Sequence, residues 1–166
     1  MRETSKINKE TRVVMLSSAA HAMAPNDIYK FNELRTTMAD RRTTQRYTMS
    51  KLADFHYSRV LAERERQVKI ICVHPGMVAT NLHKESKGTF LRPFLYTAGW
   101  LFATPVDKGA LSQIWAAVSP EAQSGRYYGP VGKVEPGSKA SQDHDLQEKL
   151  FEYVQNQIDS FVPKII

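Results

Sequence analysis

The sequence predicts an α/β fold in which short buried strands lie parallel and a helix crosses between them. Two apolar runs carry that expectation, Arg12 to Ser17 and Val68 to Val73. Such runs, closed by small hydroxyl residues or by Pro-Gly, read as strands of a sheet covered on both faces. A third stretch lies between them and opens at Thr44-Gln45-Arg46-Tyr47, which reads as the first turns of a long helix. Strand, helix and strand in that order make one crossover, expected to be right-handed.

The chain has 166 residues, enough for a single domain with a core. Hydrophobic residues make up 42% and charged residues 24%, the balance of an ordinary globular protein. A net charge of +6 raises the question of nucleic acid. The basic residues do not interleave with aromatics, and Arg59, Arg64 and Arg66 alternate with Glu63 and Glu65. That pattern reads as a solvated helix face and argues against nucleic-acid binding. The lone Cys72 lies in an apolar strand and reads as a small buried residue of a reducing compartment. No hydrophobic leader opens the chain, and the apolar segment from Phe94 to Ala103 is far short of the roughly 20 residues of a membrane helix. The expectation is a cytoplasmic setting, with peripheral membrane association as the alternative.

In chain order, residues 1–10 read as a ragged helix end or a leader into the first strand, at 12–17. The stretch from Ala19 to Arg42 is long for a loop, so a functional or partly helical role is expected, with a short turn near Asp27 to Leu34. Thr43 or Thr44 is the expected N-cap of the long helix, which runs to about Arg66 with Leu52, Phe55, Val60 and Leu61 on its apolar side. The second strand falls at 68–73. The aromatic segment Phe90 to Phe102 suits an apolar cleft, a membrane surface or plain helix packing. Pro105 opens a further helix with Ala110, Leu111, Ile114, Trp115 and Val118 as its expected buried stripe. A last strand is expected at 126–129, then loop from Val131 to Ser141, then a terminal amphipathic helix from Asp143 to Phe161 carrying Leu146, Leu150, Phe151, Val154, Ile158 and Phe161.

The chemistry centres on Tyr47 and Lys51, four positions apart and so on one helix face. A phenol with a reference pKa of about 10 is a poor acid–base at neutral pH unless its phenolate is stabilised. An ammonium one turn away can do that. The pair alone is a weak signal, and its flanks decide. Ser17 and Ser18 end the first strand, where ligands of parallel sheets sit. By strand alternation Ser18 and Ser17 face different ways, and Ser17 is expected to be structural. Pro75 and Gly76 end the second strand, and Thr80 stands four residues past the glycine. His21 has no required role in this reading, and His74 is expected to be structural. The scattered histidines and the cysteine show no metal-ligand spacing.

Strand-Ser-Ser, helix-Tyr-x-x-x-Lys and strand-Pro-Gly-x-x-x-Thr, in this order, resemble the short-chain dehydrogenase/reductase family. The wording Ser17-Ser18-x-Ala20-His21, Arg46-Tyr47-x-x-Ser50-Lys51-Leu52-Ala53 and His74-Pro75-Gly76 looks most like its retinol-dehydrogenase-like branch. The resemblance implies the C-terminal half of a Rossmann-like doubly wound parallel sheet, incomplete at its N-terminus, as one partial domain over 1–166. It implies hydride transfer between NAD(P) and an apolar alcohol or carbonyl. Tyr47 aligns with the acid–base. Lys51 aligns with the residue that lowers the tyrosine pKa and bonds the nicotinamide ribose. Ser18 aligns with the group that orients the substrate oxygen, and Pro75, Gly76, Val78 and Thr80 align with the cofactor loop. The resemblance slightly favours NADP over NAD.

The departures from the family pattern are as informative. The glycine-rich Thr-Gly-x-x-x-Gly-x-Gly turn that holds the pyrophosphate is missing, as is Asn-Asn-Ala-Gly, and Met15 stands where the related branch commonly has Asn. The expectation is impaired turnover by this chain alone, with a further half-domain of about 100–150 residues encoded ahead of Met1. The alternative reading is a non-catalytic interaction protein, associating with a relative or with itself through surfaces left bare by the missing half.

Overall fold

The computed structural model describes residues 1–78 and 104–161. The expectations for Thr80, for 83–88 and for Phe90 to Phe102 lie outside the described residues. Strands β1 (Arg12–Leu16), β2 (Lys69–Val73), β3 (Tyr127–Gly129) and β4 (Lys133–Val134) form one sheet in the order β1-β2-β3-β4. The first three are parallel, and β4 folds back antiparallel on β3. The register sets Met15 beside Cys72 and Cys72 beside Tyr127. This is the α/β class that the apolar runs predict.

Alternation along the strands sends neighbouring residues to opposite faces. Met15, Cys72 and Tyr127 meet Phe55 of helix α2 (Thr43–Arg64). Val14, Ile71, Val73 and Tyr128 meet Trp115 and Ala116 of helix α3 (Val106–Val118). The steps β1 to β2 and β2 to β3 move the same way across the sheet. With α2 and α3 on opposite faces, the two crossovers have opposite hands, and the right-handed rule can hold for only one. The terminal helix α4 (His144–Phe161) packs on α2, stacking Phe151 on Tyr57 with ring centroids 5.1 Å apart.

Several expectations need correction. Residues 2–7 form a short helix, α1 (Arg2–Ile7), with Ser5 buried. The N-cap of α2 is Arg42 rather than Thr43 or Thr44, because the Gln45 side chain accepts from the Arg42 amide at 3.0 Å. The buried side of α3 is Gly109, Ser112 and Ala116, while Leu111, Ile114 and Val118 are exposed. Small residues face the sheet because they let the helix backbone approach it, and the larger apolar side chains are turned outward. The stretch after Val131 contains β4 and a 3₁₀ turn at Ala140–Gln142 instead of loop alone. On α4, Leu150 and Phe151 are buried, but Ile158 and Phe161 are exposed. Cys72 is free and buried.

The long segment from Ala19 to Arg42 holds a 3₁₀ turn at Ala19–Met23 and is otherwise held from outside. Ile28 packs on Met49 and Leu52. The Arg41 guanidinium clamps it by bonding both Asp27 and Glu33, which draws both carboxyls below their ordinary pKa.

Candidate active site

Because β1 and β2 are parallel and Leu16 pairs with Val73, Ser17, Ser18 and the His74-Pro75-Gly76 turn leave the sheet at the same carboxyl edge. The Ser17 amide donates to the Val73 carbonyl at 2.8 Å, carrying the ladder one residue further. The Ser17 side chain turns inward, is buried, and donates to the Lys51 carbonyl at 2.7 Å. Ser18 is half-buried and caps the Ala19–Met23 turn, its Oγ accepting from the Ala20 amide at 3.2 Å. That bond uses the oxygen and leaves the Ser18 hydroxyl hydrogen available to a ligand.

Helix α2 delivers Lys51 to this edge. Its Nζ donates to the Leu16 carbonyl and to Asp54 Oδ2, both at 2.9 Å. Tyr47 stands one turn earlier on the same face and is 37% exposed, so its phenol sits on the rim. Gly76 has φ +77, a left-handed conformation that favours glycine, and its amide donates to His74 Nδ1 at 3.2 Å. Val78 pairs with Thr104 and lies against Gly109, where an added Cβ would be 2.5 Å from Val78 Cγ2. The cofactor-loop candidates Pro75 and Gly76 therefore follow the carboxyl end of β2, with Gly76 against Pro130, and Val78 lies against α3. Beside Ser18 a cleft of about 350 Å³ opens between Ala19, His21 and Ala22 on one wall and residues 133–138 on the other.

Sequence reasoning missed the polar wiring beneath this edge. His21, His56 and His74 are buried, and each bonds a residue of the 135–140 stretch. Burial depresses the His21 and His56 pKa values and raises those of Tyr29 and Tyr127. The histidine partners lie 61 to 117 positions away, so no local pattern could reveal them. The pairing of Asp54 with Lys51 was legible as an i, i+3 contact. The fold also gathers Glu63, His144 and Glu148, whose ligand atoms lie within 4.8 Å of one another at exposed positions. Arg64 already bonds Glu148 there.

No protein-family model matches the chain. Human retinol dehydrogenase 14 is 33% identical over 153 residues, which cover 89% of this chain and 44% of its own length. A short-chain dehydrogenase/reductase of Armillaria gallica is 29% identical over 159 residues, 92% of this chain and 49% of its own. The chain belongs to the short-chain dehydrogenase/reductase family. Human polyprenol dehydrogenase, 31% identical over 91% of the chain and 46% of its own length, is a further relative. The chain thus spans about half the length of the curated family members it matches. A crystal structure of an uncharacterized protein from Mycobacterium paratuberculosis shares the fold with a TM-score of 0.60 at 21% identity, over 90% of this chain and 51% of that one. Among the described residues no helix is long and apolar enough to cross a membrane.

Proposed function

We propose that this chain carries the catalytic half of an NAD(P)-dependent oxidoreductase acting on an apolar alcohol or carbonyl. The observation that carries the reading is the seating of Lys51. Its ammonium is held against the end of β1 by Leu16 and Asp54, with Tyr47 one turn away on the rim. The residues present fit a ligand laid along that edge. Gly76 turns the backbone in a left-handed conformation, and Ser18 offers a free hydroxyl hydrogen. Pro75, Val78 and Thr80 complete the proposed cofactor loop.

The nicotinamide, when bound, supplies or accepts the hydride. In reduction Tyr47 gives its phenolic proton to the carbonyl oxygen, and in oxidation it takes the alcohol proton. Lys51 stabilises the phenolate by its charge and holds a ribose hydroxyl. Ser18 donates to the substrate oxygen as negative charge develops there, the kind of oriented donor worth several kcal/mol. The glycine-rich turn is absent from the sequence, so a positioned nicotinamide requires a contribution from outside these residues.

NADPH titration by calorimetry tests this in two arms. The chain alone is expected to bind weakly and turn over negligibly. Joined to the remaining half of a relative, it is expected to bind and to reduce a small apolar carbonyl. A joined protein that binds NADPH with no turnover would overturn the catalytic reading. The exposed Leu111, Ile114 and Val118 on α3 favour a second reading, an interaction protein that associates through that face. Under it, neither arm binds cofactor and the chain self-associates.

A further inference from the structure

Three histidines from different elements bond the 135–141 stretch, alongside Gln147 on the Ser141 carbonyl, Gln142 on the Pro136 carbonyl and Ser141 on Ser138. His74 follows β2, and its Nε2 lies 3.0 Å from Glu135 Oε2. His56, on α2, has Nε2 2.9 Å from the Ala140 carbonyl. His21, in the first 3₁₀ turn, has Nε2 3.2 Å from the Ser138 amide and Nδ1 2.8 Å from the Ser18 carbonyl.

These partners fix the tautomers. A carbonyl only accepts, so His21 Nδ1 carries its proton, and an amide only donates, so His21 Nε2 is bare. The three ties respond differently to an added proton. His56 keeps its N–H toward Ala140 in either charge state, and the Tyr29 hydroxyl, 3.0 Å from its Nδ1, can turn from donor to acceptor. His74 points its Nε2 N–H at the Glu135 carboxylate while its Nδ1 accepts from the Gly76 amide, so its tie to the stretch is made by the nitrogen that already carries a hydrogen. His21 loses its tie outright, because an Nε2–H would confront the Ser138 N–H. The groups facing His21 offer no compensation at contact: the Tyr127 hydroxyl at 3.4 Å from Nδ1 and the rings of Phe55 and Tyr127 at 5.2 and 5.3 Å. Beyond them, His74 opposes a second charge and Glu135 favours it.

We propose that His21 is an acid-released latch. Neutral, it ties Ser138 of the flap Pro136–Lys139 to the Ser18 turn, and protonation removes that tie, leaving the flap held by Gln142 at Pro136 and by Ser141 at Ser138. The consequence is local. The flap walls the cleft beside Ser18, so its release opens that cleft at mildly acid pH while α2 and the sheet stay folded. Burial, the largest influence on His21, depresses its pKa in the latched form. The open form regains the ordinary value of about 6.5, so the latch weakens as pH falls below that, by up to about tenfold per pH unit for one proton. The inference needs no turnover and stands apart from the catalytic reading.

Amide hydrogen exchange on the full chain between pH 8 and 5 tests it, with rates corrected for intrinsic exchange. Ser138 is expected to lose protection about tenfold per unit below roughly pH 6.5, while Ile71 in β2 keeps its own. His21→Gln, which can donate and accept without titrating, is expected to flatten that dependence. Flat Ser138 protection in the unmutated chain would overturn the latch, as would loss of Ile71 protection in step with Ser138. If His21→Gln does not fold, the His21 ring resonances decide. A midpoint below about 6.5 with Ser138 exchange following it supports the latch, and a midpoint at or above 6.5 with Ser138 still protected overturns it.

Discussion

The Ser17 hydroxyl donates to the carbonyl oxygen of Lys51 at 2.7 Å, across 34 positions of sequence. It locks the end of β1 to the helix that carries Tyr47 and Lys51. Ser17→Ala is therefore expected to cost about 1 kcal/mol of stability, the net worth of one buried bond, with little effect on cofactor binding. Ser18→Ala is expected to cost about 0.5–1 kcal/mol through the lost cap of the Ala19–Met23 turn and to remove most turnover in a protein joined to the other half. Urea denaturation and steady-state rates check both. Sensitivity of turnover to Ser17 rather than Ser18 would exchange their roles.

Tyr47 and Lys51 should separate by readout. Tyr47 is on the rim, and among the described residues nothing bonds its hydroxyl. Tyr47→Phe is expected to shift stability by under about 0.5 kcal/mol. In the joined protein it should lower reduction by about 10²–10⁴-fold with NADPH affinity largely kept. Lys51→Ala should impair both affinity and rate, because its ammonium serves the cofactor and the phenolate separately. NADPH affinity untouched by Lys51→Ala would remove the ribose role.

Gly109 offers a packing test of the cofactor loop. A Cβ there would meet Val78 at 2.5 Å. Gly109→Ala gains about 0.5–1 kcal/mol of helix propensity and loses about 1–3 kcal/mol to overpacking. The net expectation is a destabilisation of about 1 kcal/mol. In a Val78→Ala background only the Cβ of residue 78 remains near, at 3.2 Å, and the cost of Gly109→Ala should fall markedly. Thermal or urea unfolding of the four proteins measures the coupling, and strict additivity would contradict the contact.

Cys72 is buried between Met15 and Tyr127 in the sheet, and burial pushes its thiol pKa up to about 12. At pH 8 the reactive thiolate is scarce, and the residue should react with a thiol reagent only as fast as the chain opens. Labelling in native buffer at the rate seen in urea would show an accessible thiol.

The strands near 12–16, 69–73 and 127–129 and the long helix between the first two were legible because apolar runs and turn residues are local signals. The Tyr47–Lys51 pair was legible because four positions always return to one helix face. Which side of α3 would be buried was not. Periodicity finds the apolar stripe of Leu111, Ile114 and Val118 but cannot say that the sheet takes Gly109, Ser112 and Ala116, whose value is smallness.

The sequence by itself determined the α/β class, the order of the motifs and the family, since each rests on residue types at short fixed spacings. Only the tertiary structure decided how the site is held. It turned Ser17 into a strut under Lys51, set Lys51 against Leu16, and fastened the 135–140 stretch to His21, His56 and His74. Those partners are brought together by parallel pairing and helix packing across 34 to 117 positions, over which no periodicity in the chain extends.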